Sequence, residues 1–353
     1  MLNISIYLSQ PLEENIAYIN KMAKLGIKEV FTSLQVPEEG DLDQFSIKKI
    51  AETCYENGLN LVADISPNTL KKFNINKNEM LEFFEKLGLT GVRLDYGFTS
   101  KEIKAISEKM LIVLNASTLT EEIIKEYQEV ELDFSRVKIC HNYYPRKETG
   151  LDKNFFINKN KWLKSLGFIV SAFVAGDGVL RGPIYSGLPT IEDHRFRTPF
   201  SAYLDLLQNC DVDEVYIGDI DIKDSSYKQF EEYLNHKKVL LHCSITITDS
   251  NLLKRLNIEH TNRKDVARDC IRSSKSRIIE FEDNEIIPEN TIFRKKGSIT
   301  IDNELYGRYM GEIQITKADL KEDEKVNVLG EIHEKDLELL NYIGSGTEFK
   351  LEF

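Results

Sequence analysis

The stretch Leu166-Gly-Phe-Ile-Val-Ser-Ala-Phe-Val174 marks the point where one predicted element ends and the next begins. It follows an amphipathic run. Glycine at this point can adopt the left-handed backbone conformation that ends a helix, and the next apolar residue can then pack on the last turn. The continuous apolar run from Phe168 to Val174 is typical of a parallel strand that is buried on both faces. The stretch therefore predicts a helix followed directly by a buried strand.

The same join occurs three more times, at Leu25-Gly26-Ile27, Asn57-Gly58-Leu59 and Leu87-Gly88-Leu89. Eight strands are predicted in total, and they cover Asn3 to Leu8, Glu29 to Ser33, Asn60 to Ile65, Gly91 to Asp95, Leu111 to Asn115, Arg136 to His141, Phe168 to Val174 and Glu214 to Ile217. Helical patterns between them cover Glu13 to Leu25, Ile47 to Asn57, Glu79 to Leu87, Ser100 to Lys109, Thr120 to Glu129 and Phe200 to Asn209. This alternation favours a (β/α)8 TIM-type barrel over its main alternative, a doubly wound open sheet.

The pattern changes after the helical run from Ser225 to His236. Short β-rich runs follow, at Leu240 to Ile247, Arg277 to Phe281, Gly297 to Ile301, Gly311 to Thr316 and Phe349 to Phe353. Helices are predicted at only a few places, including Asn262 to Arg272 and Glu334 to Tyr342. The sequence therefore predicts an α/β protein with a TIM-type barrel in residues 1–237 and a smaller β-rich domain in residues 238–353.

Composition excludes several classes of function. A net charge of −12 disfavours nonspecific nucleic-acid binding, because Lys and Arg supply most of the affinity for phosphate backbones. No apolar run approaches the roughly twenty residues that cross a bilayer. The segment Met1 to Leu8 has neither a basic region nor a cleavage site, which predicts a cytoplasmic protein. The five scattered cysteines indicate reduced thiols rather than a disulfide framework or a zinc site. No cofactor, membrane or nucleic-acid partner is predicted, and homo-oligomerisation is left open.

Polar side chains stand where the predicted barrel strands end. TIM-type enzymes take their reacting groups from these strand ends and the loops after them. The residues concerned are Asp64, Asp95, Asn115, His141, Asn142, Asp177 and Asp219. An Asp at a strand end can also cap the next helix, but four carboxylates around one rim predict an acidic site. Asp95 and Asp177 are expected on opposite sides of a substrate, with Asp64 and Asp219 as supporting or alternative catalytic groups.

The two longest strand-to-helix loops, residues 141–152 and 175–195, carry an excess of positive charge. Between His141 and Phe200, nine Lys or Arg face five Asp or Glu in an otherwise acidic chain. This excess predicts an anion site, although a solvated charged surface is the alternative. Guanidinium groups suit phosphate, and tyrosine rings offer flat faces to a sugar. The loops therefore predict a phosphorylated carbohydrate as the ligand.

Glycoside hydrolysis fits this combination, because it needs an acid for the leaving oxygen and a second group at the anomeric carbon. A sugar with a 2-acetamido group could supply its own nucleophile, and the sequence does not choose between these routes. One alternative is a metal-dependent sugar-phosphate isomerase or epimerase in which His141 and His194 bind the metal with Asp64, Asp95 and Asp219. No metal-ligand spacing supports it, so no metal is predicted. Another alternative is a noncatalytic carbohydrate-binding protein.

Several long motifs resemble the MupG-type 6-phospho-N-acetylmuramidases. They occur along essentially the whole chain and comprise Arg93-Leu-Asp-Tyr-Gly-Phe98, Asn115-Ala-Ser-Thr118, His141-Asn-Tyr-Tyr-Pro-Arg146, Leu180-Arg-Gly-Pro183, Gly187-Leu-Pro-Thr190 and Tyr306-Gly-Arg-Tyr-Met-Gly-Glu-Ile313. The resemblance implies a TIM barrel followed by a cyclophilin-like domain. It also implies cleavage of the β-1,4 bond between N-acetylmuramic acid 6-phosphate and N-acetylglucosamine, a step of peptidoglycan recycling.

The resemblance also implies which side chains line the site. They are Asp95, Asn115, His141, Asn142, Tyr144, Arg146, Asp177, Arg181, His194 and Arg195. Arg308, in the last motif, is expected to reach over the barrel mouth. The expected partner is a phosphorylated disaccharide. Arg146 is the residue expected to bind its phosphate.

Overall fold

The computed structural model describes residues 1–35, 43–277 and 285–353. They form two compact units, Met1–Lys223 and Asp224–Phe353. The predicted strand from Arg277 to Phe281 lies, apart from Arg277, outside the described residues. Within the described part of the chain, no helix combines the length and apolar character needed to cross a bilayer.

The first unit is a closed barrel of eight parallel strands in sequential order, with β8 pairing back onto β1. Its strands are β1 Leu2–Ser5, β2 Glu29–Ser33, β3 Asn60–Ile65, β4 Gly91–Leu94, β5 Leu111–Asn115, β6 Val137–Cys140, β7 Ile169–Val174 and β8 Glu214–Ile217. Its helices are α1 Leu12–Ala23, α2 Gln44–Glu56, α3 Pro67–Phe73, α4 Met80–Lys86, α5 Ser100–Ser107, α6 Glu121–Glu129, α7 Lys153–Ser165 and α8 Pro199–Asn209. The predicted TIM-type barrel is confirmed.

The four glycine joins end helices as predicted. Each glycine has a positive φ, between 67° and 89°, at Gly26, Gly58, Gly88 and Gly167. After α2, the Leu59 amide donates to the Cys54 carbonyl at 2.8 Å, and after α4 the Leu89 amide donates to the Phe84 carbonyl at 3.0 Å. These bonds span the last helical turn and satisfy carbonyls that the helix leaves open. The chain is therefore turned directly from helix into strand.

Alternate strand residues point into the barrel and form layers. Near the N-terminal ends of the strands, Lys138 bridges Glu29 at 3.2 Å and Glu214 at 2.9 Å. All three side chains are largely buried. This ionic layer fills the lower end of the barrel.

An aromatic layer lies above the ionic one. Phe31, Phe173 and Tyr216 are each at most 5% exposed, and their ring centroids lie 5.3 to 6.2 Å apart. Tyr143 packs edge-on against Phe173 at 5.1 Å. These rings close the barrel interior beneath the polar groups at the C-terminal strand ends.

The second unit is built on a seven-stranded sheet in the order β10-β15-β9-β14-β12-β13-β11. Its elements are α9 Asp224–His236, β9 Val239–Ile245, α10 Ser250–Leu256, β10 His260–Thr261, β11 Cys270–Arg272, β12 Ser298–Asp302, β13 Ile313–Thr316, β14 Val326–Ile332 and β15 Glu348–Glu352. The predicted smaller β-rich domain is confirmed.

The helix predicted over Asn262 to Arg272 is wrong. This stretch begins and ends in β-pairing, because β11 is antiparallel to β13 and Asn262 forms a bridge to Ser273. The Asn262 side chain also donates to the carbonyls of Ile343 and Gly344, at 3.1 and 3.0 Å. Tertiary hydrogen bonds thus override a local helical pattern.

Helix α9 packs within the second unit, although the sequence prediction placed it in residues 1–237. Gln229 on this helix donates to the Leu240 carbonyl at 3.1 Å and to Asp336 at 3.1 Å. Phe230 is fully buried. By compactness, the second unit therefore begins at Asp224.

Candidate active site

A cavity of about 210 Å³ opens above the aromatic layer of the barrel. It is lined by Phe31, Gln35, Asp64, Arg93, Asp95, Asn142, Tyr143, Tyr144 and Phe173. Most of these residues stand at or just after the C-terminal ends of strands β2, β3, β4, β6 and β7. A rim of this kind holds the reacting groups in TIM-type enzymes.

Asp64 and Asp95 form a carboxylate pair in this cavity. Gln35 Nε2 donates to Asp64 Oδ2 at 2.6 Å and to Asp95 Oδ2 at 3.4 Å. The Oδ2 atoms of the two carboxylates therefore lie no more than about 6 Å apart, which is the sum of these two distances. The cavity pairs Asp95 with Asp64, whereas the sequence prediction paired it with Asp177.

Arg93 contacts both Asp64 and Asp95. Its side chain is 5% exposed, and Nη1 lies 3.0 Å from Asp64 Oδ1 and 3.9 Å from Asp95 Oδ1. Its Nη2 donates to Oδ1 of Asn142. One buried guanidinium thus fixes side chains from the ends of three strands.

The two carboxylates differ in their surroundings. The Asp64 residue is 7% exposed, and burial raises its pKa even though the Arg93 charge opposes that change. The Asp95 side chain is 30% exposed. Its Oδ1 accepts a hydrogen bond from Asn115 Nδ2 at 3.3 Å. The pair therefore offers one carboxyl disposed to hold a proton and one carboxylate held by polar neighbours.

Asp219 is placed as an organiser of the loop after β7. It is fully buried, and its carboxylate accepts the backbone amides of Gly176, Arg181 and Leu188 at 2.9 to 3.0 Å. Burial raises the pKa of Asp219, and these three amides oppose the rise. It does not line the cavity. None of these contacts joins Asp219 to the cavity, and its predicted catalytic role stays a prediction.

Asp177 also lies outside the cavity lining. It is partly exposed, and its Oδ1 accepts the backbone amide of Lys223 at 2.9 Å. Burial raises the pKa of Tyr18 on α1, and the charges of Asp221, Asp219 and Asp177 raise it further, in that order of size. Asp177 therefore belongs to a different part of the rim from the Asp64 and Asp95 pair.

Arg195 joins the two long loops. Its Nε and Nη2 donate to the Glu192 carboxylate at 2.6 and 2.5 Å. The remaining contacts are to backbone carbonyls at 3.0 to 3.2 Å, those of Tyr144, Arg146, Ser186 and Gly187. All five N–H groups of this buried guanidinium are used. The geometry makes Arg195 a loop organiser and leaves it no free donor for substrate.

Arg181 contacts the side chain of a residue that lines the cavity. Its Nη1 donates to the hydroxyl of Tyr143 at 3.2 Å, and its guanidinium carbon is 4.3 Å from the ring centroid of Tyr7. Tyr143 lines the cavity. Arg181 can therefore act on the cavity through Tyr143.

The two predicted histidines are packed in the interior. His141 is fully buried, with Nε2 2.7 Å from Asn160 Oδ1, and burial lowers its pKa to about 4. His194 is also fully buried, with Nε2 2.8 Å from Asp205 Oδ2. Burial lowers the pKa of His194 despite this partner. Neither histidine lines the cavity. In the described residues, no group of three or more His, Cys, Asp or Glu is arranged to hold a metal ion.

The other predicted site residues are distributed as follows. Asn142 and Tyr144 line the cavity, and Asn115 touches it through Asp95. Arg146 is exposed on the loop that carries Tyr144. Arg308 is exposed in the second unit, and its expected reach over the barrel stays a prediction.

Sequence reasoning missed Gln35 and Arg93 as site residues. Gln35 continues the inward alternation of Phe31 and Ser33, and Arg93 stands two residues before Asp95 on the same face of β4. Strand alternation alone could have placed both side chains toward the barrel mouth.

The fold and this cavity define the class: a TIM-type α/β-barrel protein with a carboxylate-lined cavity at the C-terminal ends of its strands. Two family models match the sequence. The N-terminal model of 6-phospho-N-acetylmuramidase matches residues 2–232, and the C-terminal model matches residues 238–352. The chain belongs to the 6-phospho-N-acetylmuramidase family, which confirms the resemblance seen in its motifs.

Two solved structures are similar over the full length of the chain. A conserved protein of unknown function from Enterococcus faecalis is 42% identical, with a TM-score of 0.89, and the match covers 100% of this chain and 96% of that one. An uncharacterised B. cereus protein is 27% identical, with a TM-score of 0.76 and coverage of 100% and 99%. No curated protein matches the chain.

Proposed function

We propose that the chain hydrolyses the β-1,4 bond between N-acetylmuramic acid 6-phosphate and N-acetylglucosamine. The observation that carries this proposal is the carboxylate pair Asp64 and Asp95, held by Gln35 and Arg93 in a cavity at the barrel mouth. Membership of the family supports the substrate. We place the reaction in the cytoplasm, in the recycling of peptidoglycan fragments that are phosphorylated during uptake.

In this proposal Asp64 is the general acid. Burial favours its protonated form, so it can donate a proton to the glycosidic oxygen as the bond to the anomeric carbon breaks. Asp95 is the second group. It either attacks the anomeric carbon directly or orients the substrate's 2-acetamido oxygen for that attack. Water then completes the hydrolysis and returns the proton to Asp64.

The separation of the pair predicts the stereochemistry. Inverting glycosidases hold their carboxyl groups roughly 6.5 to 9.5 Å apart, which leaves room for water, whereas retaining enzymes hold them at about 5 to 5.5 Å. The Oδ2 atoms of Asp64 and Asp95 share the Gln35 donor and lie at most about 6 Å apart, which leaves little room for a water between these two atoms, and on this basis we propose retention. Attack by the acetamido oxygen would also retain the configuration, because two displacements occur in either case.

Arg146 is the proposed reader of the 6-phosphate. Its side chain is exposed, and its loop also carries the cavity residue Tyr144. Lys147 follows on the same exposed turn. Two cations on a loop that also lines an acidic cavity suit a substrate that combines a scissile acetal with a phosphate dianion.

The test is incubation of the purified chain with the 6-phosphorylated muramyl disaccharide, with products identified by mass and the first-formed anomer by proton NMR. We expect two monosaccharides, with a new reducing end in the β configuration. Asp64→Asn and Asp95→Asn should each lose most turnover. Asp133→Asn, which changes the exposed cap of the short 3-10 helix Phe134–Arg136 in the same unit, should retain it.

Three outcomes would contradict the proposal. Intact disaccharide would remove the reaction, and an epimerised product without cleavage would favour the isomerase alternative. Loss of turnover in Asp177→Asn but not in Asp64→Asn would move the acid to the other part of the rim.

A further inference from the structure

Two arginines of the second unit flank one tyrosine ring. The guanidinium carbons of Arg277 and Arg308 lie 5.3 and 4.9 Å from the ring centroid of Tyr309. Both arginines are exposed, and Tyr309 is half-buried. Two like charges around one ring repel each other, so a further anion beside them would be stabilised.

The turn that carries Arg308 is fixed by its backbone conformation and by hydrogen bonds, so the positions of the two arginines do not depend on their side chains alone. Gly307 has φ 55° and ψ −116°, a conformation that a residue with a Cβ adopts only under strain. The amide of Met310 donates to the Gly307 carbonyl at 2.9 Å. Arg308 Nη2 donates to the Tyr309 hydroxyl at 3.0 Å. Arg277 Nη2 donates to the backbone carbonyl of Arg308. The two guanidinium groups are therefore positioned before any ligand arrives.

The two arginines differ in their carboxylate contacts among the described residues. Glu312 lies 3.5 Å from Arg277 Nη1, but the same buried carboxylate also binds Arg272 through two bonds of 2.7 and 3.1 Å. Arg308 has no carboxylate partner within 4 Å among residues 1–35, 43–277 and 285–353. Glu312 thus pairs with Arg272 and Arg277 but not with Arg308.

Aromatic surface accompanies the charge. Tyr306 packs edge-on against Tyr309, with ring centroids 6.0 Å apart, and it is 36% exposed. Tyrosine faces suit the apolar face of a sugar ring, and a guanidinium fork suits a carboxylate or a phosphate. The matching ligand is therefore a sugar that carries an oxyanion.

We propose that Arg277, Arg308 and Tyr309 form a binding site in the second unit for a carboxylate or phosphate group carried by a sugar. The site goes beyond the proposed hydrolysis, because none of its residues belongs to the barrel cavity. Its test needs no turnover, so the two proposals can fail separately.

The experiment uses the full chain labelled with ¹⁵N and three monosaccharide probes. N-acetylmuramic acid carries a carboxylate, N-acetylglucosamine 6-phosphate carries a phosphate, and N-acetylglucosamine carries neither. We expect amide and arginine Nε shifts over residues 303–313 with at least one charged probe and none with the neutral probe. Which charged probe acts will identify the source of the anion.

Variants assign these shifts. Arg277→Ala and Arg308→Ala should each weaken the binding seen at residues 303–313 by about tenfold or more, the effect of losing one charge-assisted contact. Arg308→Lys should keep part of it. Arg268→Ala is the matched control, because it removes an exposed positive charge of the same unit that pairs only with Asp269 among the described residues. It should bind as the wild type does.

Two results would overturn the site. One is equal shifts with all three probes, and the other is charged-probe binding that Arg277→Ala and Arg308→Ala leave unchanged. Unchanged amide spectra elsewhere in the second unit confirm that a variant is folded. If Arg308→Ala does not fold, Arg308→Gln with the same readout replaces it.

Discussion

Replacing Arg195 with lysine should destabilise the barrel by roughly 3 kcal/mol. The guanidinium makes six hydrogen bonds with five N–H groups, two of them to Glu192 and four to backbone carbonyls. A lysine ammonium has three donors, so at least three of these buried contacts are lost, each worth about 1 kcal/mol net. The Arg195 hydrogen bonds, together with the backbone amides of Glu148 and Gly150, lower the pKa of Glu192 to about 2.

The assay is urea unfolding at neutral pH, monitored by a spectroscopic signal from the barrel, which gives the free energy of unfolding. Arg146→Lys is the control, because it changes an exposed side chain in one of the two joined loops and should alter the free energy of unfolding by less than about 0.5 kcal/mol. A loss below about 1 kcal/mol in Arg195→Lys would refute the reasoning, since the loops would then be held together by other contacts.

Three further predictions concern pH and substrate. If Asp64 must be protonated, kcat/KM should fall as pH rises through its raised pKa, and Asp64→Asn should abolish this alkaline limb in a pH profile; a limb unchanged in the variant would exclude Asp64 as the acid. Arg146→Ala should lower kcat/KM for the 6-phosphorylated disaccharide at least about tenfold more than for its unphosphorylated analogue, and equal losses would show that Arg146 does not bind phosphate. Burial, together with Glu312, raises the pKa of Asp302 from 3.8 to about 7, so the folded state loses stability as pH rises through that range. Asp302→Asn should therefore raise the Tm of the second unit more at pH 8 than at pH 4, and an equal gain at both would contradict the shift.

The barrel was predictable because each strand is locally encoded. A strand such as β7 is a continuous apolar run after a glycine that ends a helix, and both signals lie within nine residues. The helix predicted over Asn262 to Arg272 failed for the opposite reason. Its conformation is decided by carbonyls of Ile343 and Gly344, about eighty positions away.

The candidate site was predictable only in part. Strand ends supplied Asp64 and Asp95, because polar residues after buried strands are visible in the sequence. The sequence could not show that Arg195 would donate hydrogen bonds to four backbone carbonyls. Nor could it show that Asp219 would bind three amides of one loop. The sequence alone does not distinguish a charged side chain that contacts a ligand from one that contacts the backbone.

The aromatic layer formed by Phe31, Phe173 and Tyr216 makes the cavity blind-ended. A glycan cannot thread through the barrel, so a sugar must enter and its fragments must leave by one mouth.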